Sequence, residues 1–327
     1  MNYPYTPIEL GPIEQMHALR RLFGADAALS HEALAGIAQL TRAQRVAADV
    51  ELAREGEPFP FVYFIIEGQL ELSREGKRVG LFGAGNGVGV MSALARDEAG
   101  FGCRTLQEST LLVLRMADLF EMMEDYFELM HGALRNVAAE AIRWRNMLPD
   151  GGFVPHAPVE CVECGEGPLG LVQRIFHLRR TIGLERSYID ELAELARSAR
   201  EVRVPRNTSL WSIGERADHL LIVVRGNVTG RTREGGVFHF GPGDIMGNLD
   251  TISGEPRWFD ARVESESESE SESDSDLVGL TIDSEAIVDV WEDHPELGFA
   301  FLRMLSRLIL ELRVRAAQLD LAVAAAQ

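Results

Sequence analysis

Cysteine is scarce: three in 327 residues, an odd number. That excludes a scaffold held by paired disulfides and points to a reducing compartment. Long apolar runs are missing as well. No stretch reaches the roughly 18 residues that a bilayer-spanning helix needs, and Met1-Asn2-Tyr3-Pro4-Tyr5 shows no basic region followed by an apolar run that would mark a signal peptide. A cytoplasmic protein with no membrane partner is the expectation. Positive charge is in short supply, 32 Lys and Arg against 51 Asp and Glu, for a net charge of −19. Such a balance repels polyanions and argues against nucleic acid as a partner. Catalytic signatures are absent too: the eight histidines are scattered, and there is no G-x-S-x-G, H-E-x-x-H or P-loop. The sequence predicts a protein that is not an enzyme and requires no cofactor.

What is present is a repeat. Leu34, Gly56, Gly68, Gly83, Gly85 and Gly89 recur at a constant offset of 158 as Leu192, Gly214, Gly226, Gly241, Gly243 and Gly247. Glycine marks backbone positions that other residues enter with difficulty, so a shared glycine spacing predicts two copies of one fold. The copies span 1–147 and 169–327, joined by a linker, 148–168, rich in Pro and Gly (Pro149, Gly151, Gly152, Pro155, Pro158, Gly165, Gly167, Pro168). Each copy opens with a helical segment, about 14–41 and 169–200. Short β-type runs bounded by glycine follow: 61–66, 69–73 and 78–82, then 210–213, 219–224, 227–231 and 237–240. Each closes with a long amphipathic helix, roughly 117–147 and 284–323. The fold class is therefore α+β: two tandem β-rolls of jelly-roll type, each flanked by N-terminal helices and a long C-terminal helix.

The second copy carries the most distinctive stretch, Gly247-Asn248-Leu249-Asp250-Thr251-Ile252-Ser253-Gly254-Glu255-Pro256-Arg257. It resembles the phosphate-binding cassette of the cyclic-nucleotide-binding domains, the family of catabolite activator proteins and protein kinase A regulatory subunits. The family form reads Gly-Glu-Leu, about seven residues, then Pro-Arg. Gly247, Leu249, Pro256 and Arg257 match it, and the Glu position holds Asn248. In the family, helix N–H groups and the Arg hold a cyclic phosphate, and the Glu accepts from the ribose 2′-hydroxyl. The resemblance thus implies a ligand site at Gly247, Asn248, Leu249 and Arg257, for a cyclic nucleotide or dinucleotide. Arg meets a phosphate with two parallel N–H bonds. Replacing the carboxylate by the Asn248 amide turns a charge-assisted bond into a neutral one, a loss of about 1 kcal/mol or more, so weakened binding is expected. Trp258 and Phe259, where the family has small residues, either stack on a base or fill the pocket.

The first copy departs further. Gly89-Val90-Met91 aligns with the cassette start, Val90 stands where the Glu belongs, and Ala99 stands at the Arg position. If this copy binds a ligand at all, Arg104 and Thr105 are the residues to take over phosphate contact, and its expected role is structural.

Two further features lie outside the repeat. From Leu111 to Leu277 the offset grows to 166, and the added residues coincide with the Ser/Glu/Asp alternation at 264–276. Its seven carboxylates supply seven of the nineteen net negative charges and predict a solvated loop. In the linker, Cys161 and Cys164 form a lone CxxC with His156 upstream, three weak candidates for a metal site that prefers four ligands.

Transcription factors of the resembled family add a helix-turn-helix after the closing helix, and no such segment is expected here. The function implied is a non-enzymatic regulatory protein whose second roll senses a phosphate-bearing ligand and relays it through the C-terminal helix. The alternative is a ligand-free interaction scaffold. The stripe Leu305, Leu308 and Leu312 predicts a homodimer, or a protein partner, through that helix, the alternative being that the stripe packs onto the roll of its own chain.

Overall fold

A computed structural model describes residues 5–23, 29–95, 100–149, 151–153, 167–181, 183–185, 187–264, 277–319 and 321. His156, Cys161, Cys164, Ala99 and 265–276 lie outside the described residues.

The first repeat runs β1 (Tyr5–Pro7), α1 (Pro12–Phe23), α2 (His31–Leu40), β2 (Arg42–Val46), β3 (Glu51–Ala53), β4 (Phe61–Glu67), β5 (Gln69–Arg74), β6 (Lys77–Gly83), β7 (Gly87–Val88), α3 (Val90–Ala95), β8 (Gly102–Thr105), β9 (Ser109–Arg115), α4 (Met116–Asp125) and α5 (Phe127–Met147). The second runs α6 (Leu171–Arg179), α7 (Ile189–Ser198), β10 (Arg200–Val204), β11 (Ser209–Trp211), β12 (His219–Arg225), β13 (Val228–Thr232), β14 (Val237–Phe240), β15 (Ile245–Met246), α8 (Asn248–Ser253), β16 (Phe259–Val263), β17 (Leu277–Asp283), α9 (Ser284–Asp293) and α10 (Pro295–Gln318).

Two antiparallel sheets make each roll. In the first their orders are β1-β2-β9-β4-β7 and β3-β8-β5-β6; in the second, β10-β17-β12-β15 and β11-β16-β13-β14. Apart from β1 the two topologies are the same, strand for strand. Even the irregularities repeat: the register shifts between Ile65 and Glu67 on β4, and between Val223 and Arg225 on β12. Gly68 follows the first of these shifts with φ 103°, and a Cβ there would lie 2.1 Å from Ser109 Oγ, so the close approach of β9 requires glycine. β4 (FVYFIIE) and β12 (HLLIVVR) are β-branched and aromatic runs, buried nearly throughout, as central strands between two packed layers must be.

The helical expectations need correction at their ends. Each opening segment is two helices, not one. α2 starts at Ser30, whose Oγ accepts from Ala33 N at 3.1 Å, and α7 starts at Tyr188, whose N–H donates to Glu191 Oε2 at 3.0 Å. Each closing helix is also broken, at Tyr126 in extended backbone and at His294 at φ −132°, ψ 75°. His294 precedes Pro295, whose ring disfavours helical geometry in the residue before it. The ten strands β1, β2, β3, β7, β8, β9, β10 and β15–β17 include several too short or too polar in alternation to stand out in the sequence.

The chain divides into two compact units, Met1–Ala133 with Leu302–Gln327, and Leu134–Phe301. The division falls inside both closing helices. The first unit's core includes Val46, Tyr63, Leu70, Phe101 and Leu111 from its strands and loops, together with Leu310 of α10. Leu305 and Leu312 are also fully buried within the single chain, so most of the stripe expected to form a homodimer is already covered.

Candidate functional site

The cassette of the second unit begins where β15 ends. Gly247 adopts φ 68° and turns the chain into α8, which Gly254 terminates at φ 77°. α8 packs on β12, and Thr251 Oγ1 donates to the His219 carbonyl at 2.7 Å. Arg257 is held from its backbone outward: its N–H donates to Glu215 O and its carbonyl accepts from Gly214 N, both at 2.8 Å. The guanidinium is buried, with 2% of the residue exposed. Nη2 donates to His219 O at 2.6 Å, and Nη1 donates to Gly247 O at 3.2 Å and Thr251 Oγ1 at 3.4 Å. The Cζ atom sits 4.1 Å from the centre of the Trp211 ring, a cation–π contact.

The anion facing this cation belongs to the protein. Asp250 Oδ1 lies 3.2 Å from Arg257 Nη1, with the two side chains 0% and 1% exposed. Burial pushes the Asp250 carboxyl above, and the Arg257 guanidinium below, their ordinary values; each is partly offset by the attraction of the other. Desolvation exceeding mutual attraction is the usual condition of a buried pair. Among the described residues, three polar atoms around this pair lack hydrogen-bond partners: Asp250 Oδ2, Arg257 Nε and Trp211 Nε1. The space is tight as well, since a Cβ on Gly247 would come within 2.4 Å of Arg257 Nη1.

Of the residues singled out by sequence, Gly247, Leu249 and Arg257 come together here, and Asn248 sits half-buried on the first turn of α8. Trp258 and Phe259 point into an aromatic cluster with Phe238 and Phe240. Phe153 completes it, stacked on Phe238 at 4.0 Å and parallel to Trp258 at 6.2 Å. Arg145 clamps Phe153 from outside, its Cζ 3.7 Å from the ring centre and its Nη1 donating to Gly151 O at 2.7 Å.

The first unit repeats the frame without the charges. Gly89 takes φ 105° and opens α3 with Val90 and Met91, and Ser92 stands where the second copy has Asp250. Arg104 and Thr105 are not directed at α3. Arg104 pairs with Glu71, Nη2 to Oε1 at 2.9 Å, and Arg78 pairs with the same carboxylate. Thr105 Oγ1 donates to Ala47 O at 2.7 Å and accepts from Val50 N at 2.9 Å, tying β8 to the turn before β3.

Sequence reading overlooked Asp250, Trp211 and Phe153. For Asp250 a signal existed: an acid seven residues before Arg257 in the copy that has the arginine, and a serine in the copy that lacks it. For Phe153 none did, because it lies in the segment read as linker. Among the described residues no helix is long and apolar enough to cross a membrane, and no three acidic, His or Cys residues group as a metal site.

The family model described as "Cyclic nucleotide-binding domain" matches residues 43–126 and 201–269, one segment on each roll. The chain carries two tandem domains of that family. Solved structures similar to it include the regulatory domain of Toxoplasma gondii PKA with cAMP, at 16% identity over 88% of this chain and 94% of that one, TM-score 0.32. Another is the regulatory subunit of a cAMP-independent protein kinase A from Trypanosoma brucei, at 16% identity over 90% and 94%, TM-score 0.33. A third, the N-terminal domain of a transcriptional regulator from Streptomyces coelicolor A3(2), shares 23% identity over 46% and 98%, TM-score 0.34. Comparison with curated proteins finds no match.

Proposed function

We propose that the protein is a non-enzymatic regulator whose second roll recognises a small phosphate-bearing ligand, a cyclic nucleotide or dinucleotide, through Arg257. The observation that carries this reading is the guanidinium itself. It is buried at the matching position of the cassette in a domain of the cyclic nucleotide-binding family, aimed by two backbone carbonyls and bearing an Nε that is unpartnered among the described residues. An oriented cation in a dry site is the device that a phosphate needs. The first roll, with Val90, Ser92 and Ala99 in the corresponding places, serves as a structural domain. Relay runs through α10, which begins in the unit of the second roll and continues in the other. Such a relay requires that the ligand prefer one helix position over another.

Calorimetric titration with cyclic AMP, cyclic GMP and cyclic di-GMP, using Arg257→Ala and Arg257→Lys as controls, tests the reading. Micromolar or tighter binding that Arg257→Ala abolishes supports it; a folded wild-type protein giving no heat with any of the three, at neutral pH or after removal of the competing carboxylate discussed below, refutes it. The rival reading, a ligand-free scaffold, is favoured by Phe153, whose ring fills the aromatic interior that a base would occupy. It predicts normal partner binding in Arg257→Ala.

A further inference from the structure

The geometry points to Asp250 as the specificity-determining residue of the second roll: its carboxylate occupies the guanidinium face that a ligand's phosphate must take, and so sets the affinity for anionic ligands. This rests on the reading of Arg257 given above.

Charge balance gives the reason. Arg257 and Asp250 are both buried, one cation facing one anion at 3.2 Å. Adding a phosphodiester, which carries a single negative charge, leaves the buried site with one uncompensated anion, whereas a neutral residue at 250 leaves it balanced. The phosphate must displace the carboxylate or pay its repulsion. The carboxylate is, moreover, an imperfect occupant. Oδ1 accepts from Arg257 Nη1 and from Thr251 N, both at 3.2 Å, and among the described residues Oδ2 has no partner, nor have Arg257 Nε or Trp211 Nε1. Unpaired buried donors and acceptors in one cluster mark a site whose hydrogen-bonding capacity is not used by the occupant it has. The repeat supplies an independent argument. Asp250 and Arg257 correspond to Ser92 and Ala99 at the offset of 158, so acid and base occur together in one copy and are absent together from the other. Gly247 completes the arrangement, because any Cβ there would push into the guanidinium.

The test uses the full chain with Asp250→Asn, Asp250→Ser (the residue of the first copy) and the double variant Asp250→Asn/Arg257→Ala, folding being checked by circular dichroism. Cyclic AMP, cyclic GMP and cyclic di-GMP are titrated into each. The inference expects at least tenfold tighter binding of one or more of them by whichever position-250 variant folds, and loss of that gain in the double variant. If wild type binds in an Arg257-dependent manner and neither substitution tightens it, Asp250 is not a competitor and this inference fails while the assignment of the site stands. If neither wild type nor the position-250 variants bind, both fail. A gain that persists without Arg257 also overturns the inference.

Discussion

One ion pair governs the chemistry of this molecule at the scale of residues. Removing one partner of a buried pair strands the other, at a cost of about 3–5 kcal/mol, so Arg257→Ala should lower the thermal midpoint measurably and must be paired with Arg257→Lys before lost binding is assigned to lost recognition. Gly247→Ala combines φ 68° with a Cβ 2.4 Å from Nη1; denaturant unfolding should show a loss of about 1–3 kcal/mol. The pair also carries a pH signature. Burial raises the Asp250 carboxyl, so the folded state holds its proton more tightly than the unfolded chain does. Its contribution is therefore most favourable in acid and declines as pH rises from the ordinary carboxylate value through the raised one. Relative to Asp250→Asn, wild type should lose stability as pH rises above the ordinary carboxylate value of 3.8, as denaturation at each pH would show. Glu215, Asp218 and His219 also lie around Arg257, and they are common to both proteins, so the difference isolates Asp250. Cys103 is a simpler case. Burial pushes its thiol up to about 12, and in a Cys161→Ser/Cys164→Ser background its alkylation at neutral pH should proceed only at the rate of unfolding.

Among the elements, α8 and the segment after α5 decide what the second roll can hold. Only six residues long, α8 depends on Gly247 and Gly254 at its two ends and on Leu249 and Ile252 beneath it. Gly151 and Gly152, at φ 64° and 66°, precede Phe153, which stacks on Phe238 of the aromatic cluster. Phe153→Ala should destabilise the second unit by about 2–3 kcal/mol, less than a fully buried Phe because the ring is half-exposed. Hydrogen exchange would locate the loss on β14 and β16. The strands β4, β5, β6, β11, β12, β13 and β14 were legible as short β-type runs bounded by glycine. The short β7 and β15, and β10 with its REVRV alternation, were not, because what makes them strands is the neighbour they pair with. The helix breaks show both cases at once. Pro295 announces the one at His294, while at the equivalent place the helix breaks at Tyr126 with no proline after it.

For the molecule as a whole, the sequence repeat and the compact units divide the chain differently. Leu310 belongs to the second repeat yet lies in the core of the first roll. Leu310→Ala should therefore cost about 2–4 kcal/mol and weaken amide protection across 43–115 rather than across 200–263. Unchanged protection in the first roll, with loss confined to the second, would contradict this assignment of the terminal helix.

By itself the sequence determined the two rolls, their order, and the place of the cassette, because glycine spacing and alternating hydrophobicity are local backbone requirements that any pairing partner must satisfy. It also located Gly247 and Arg257, since a motif of fixed spacing needs no knowledge of neighbours. Only the tertiary structure decided what faces Arg257, what fills the interior beside Trp258, and which roll each closing helix completes. Those outcomes depend on side chains seven, a hundred and more than two hundred residues apart being brought together and stripped of water, where a single carboxylate or a single ring changes what a site can accept.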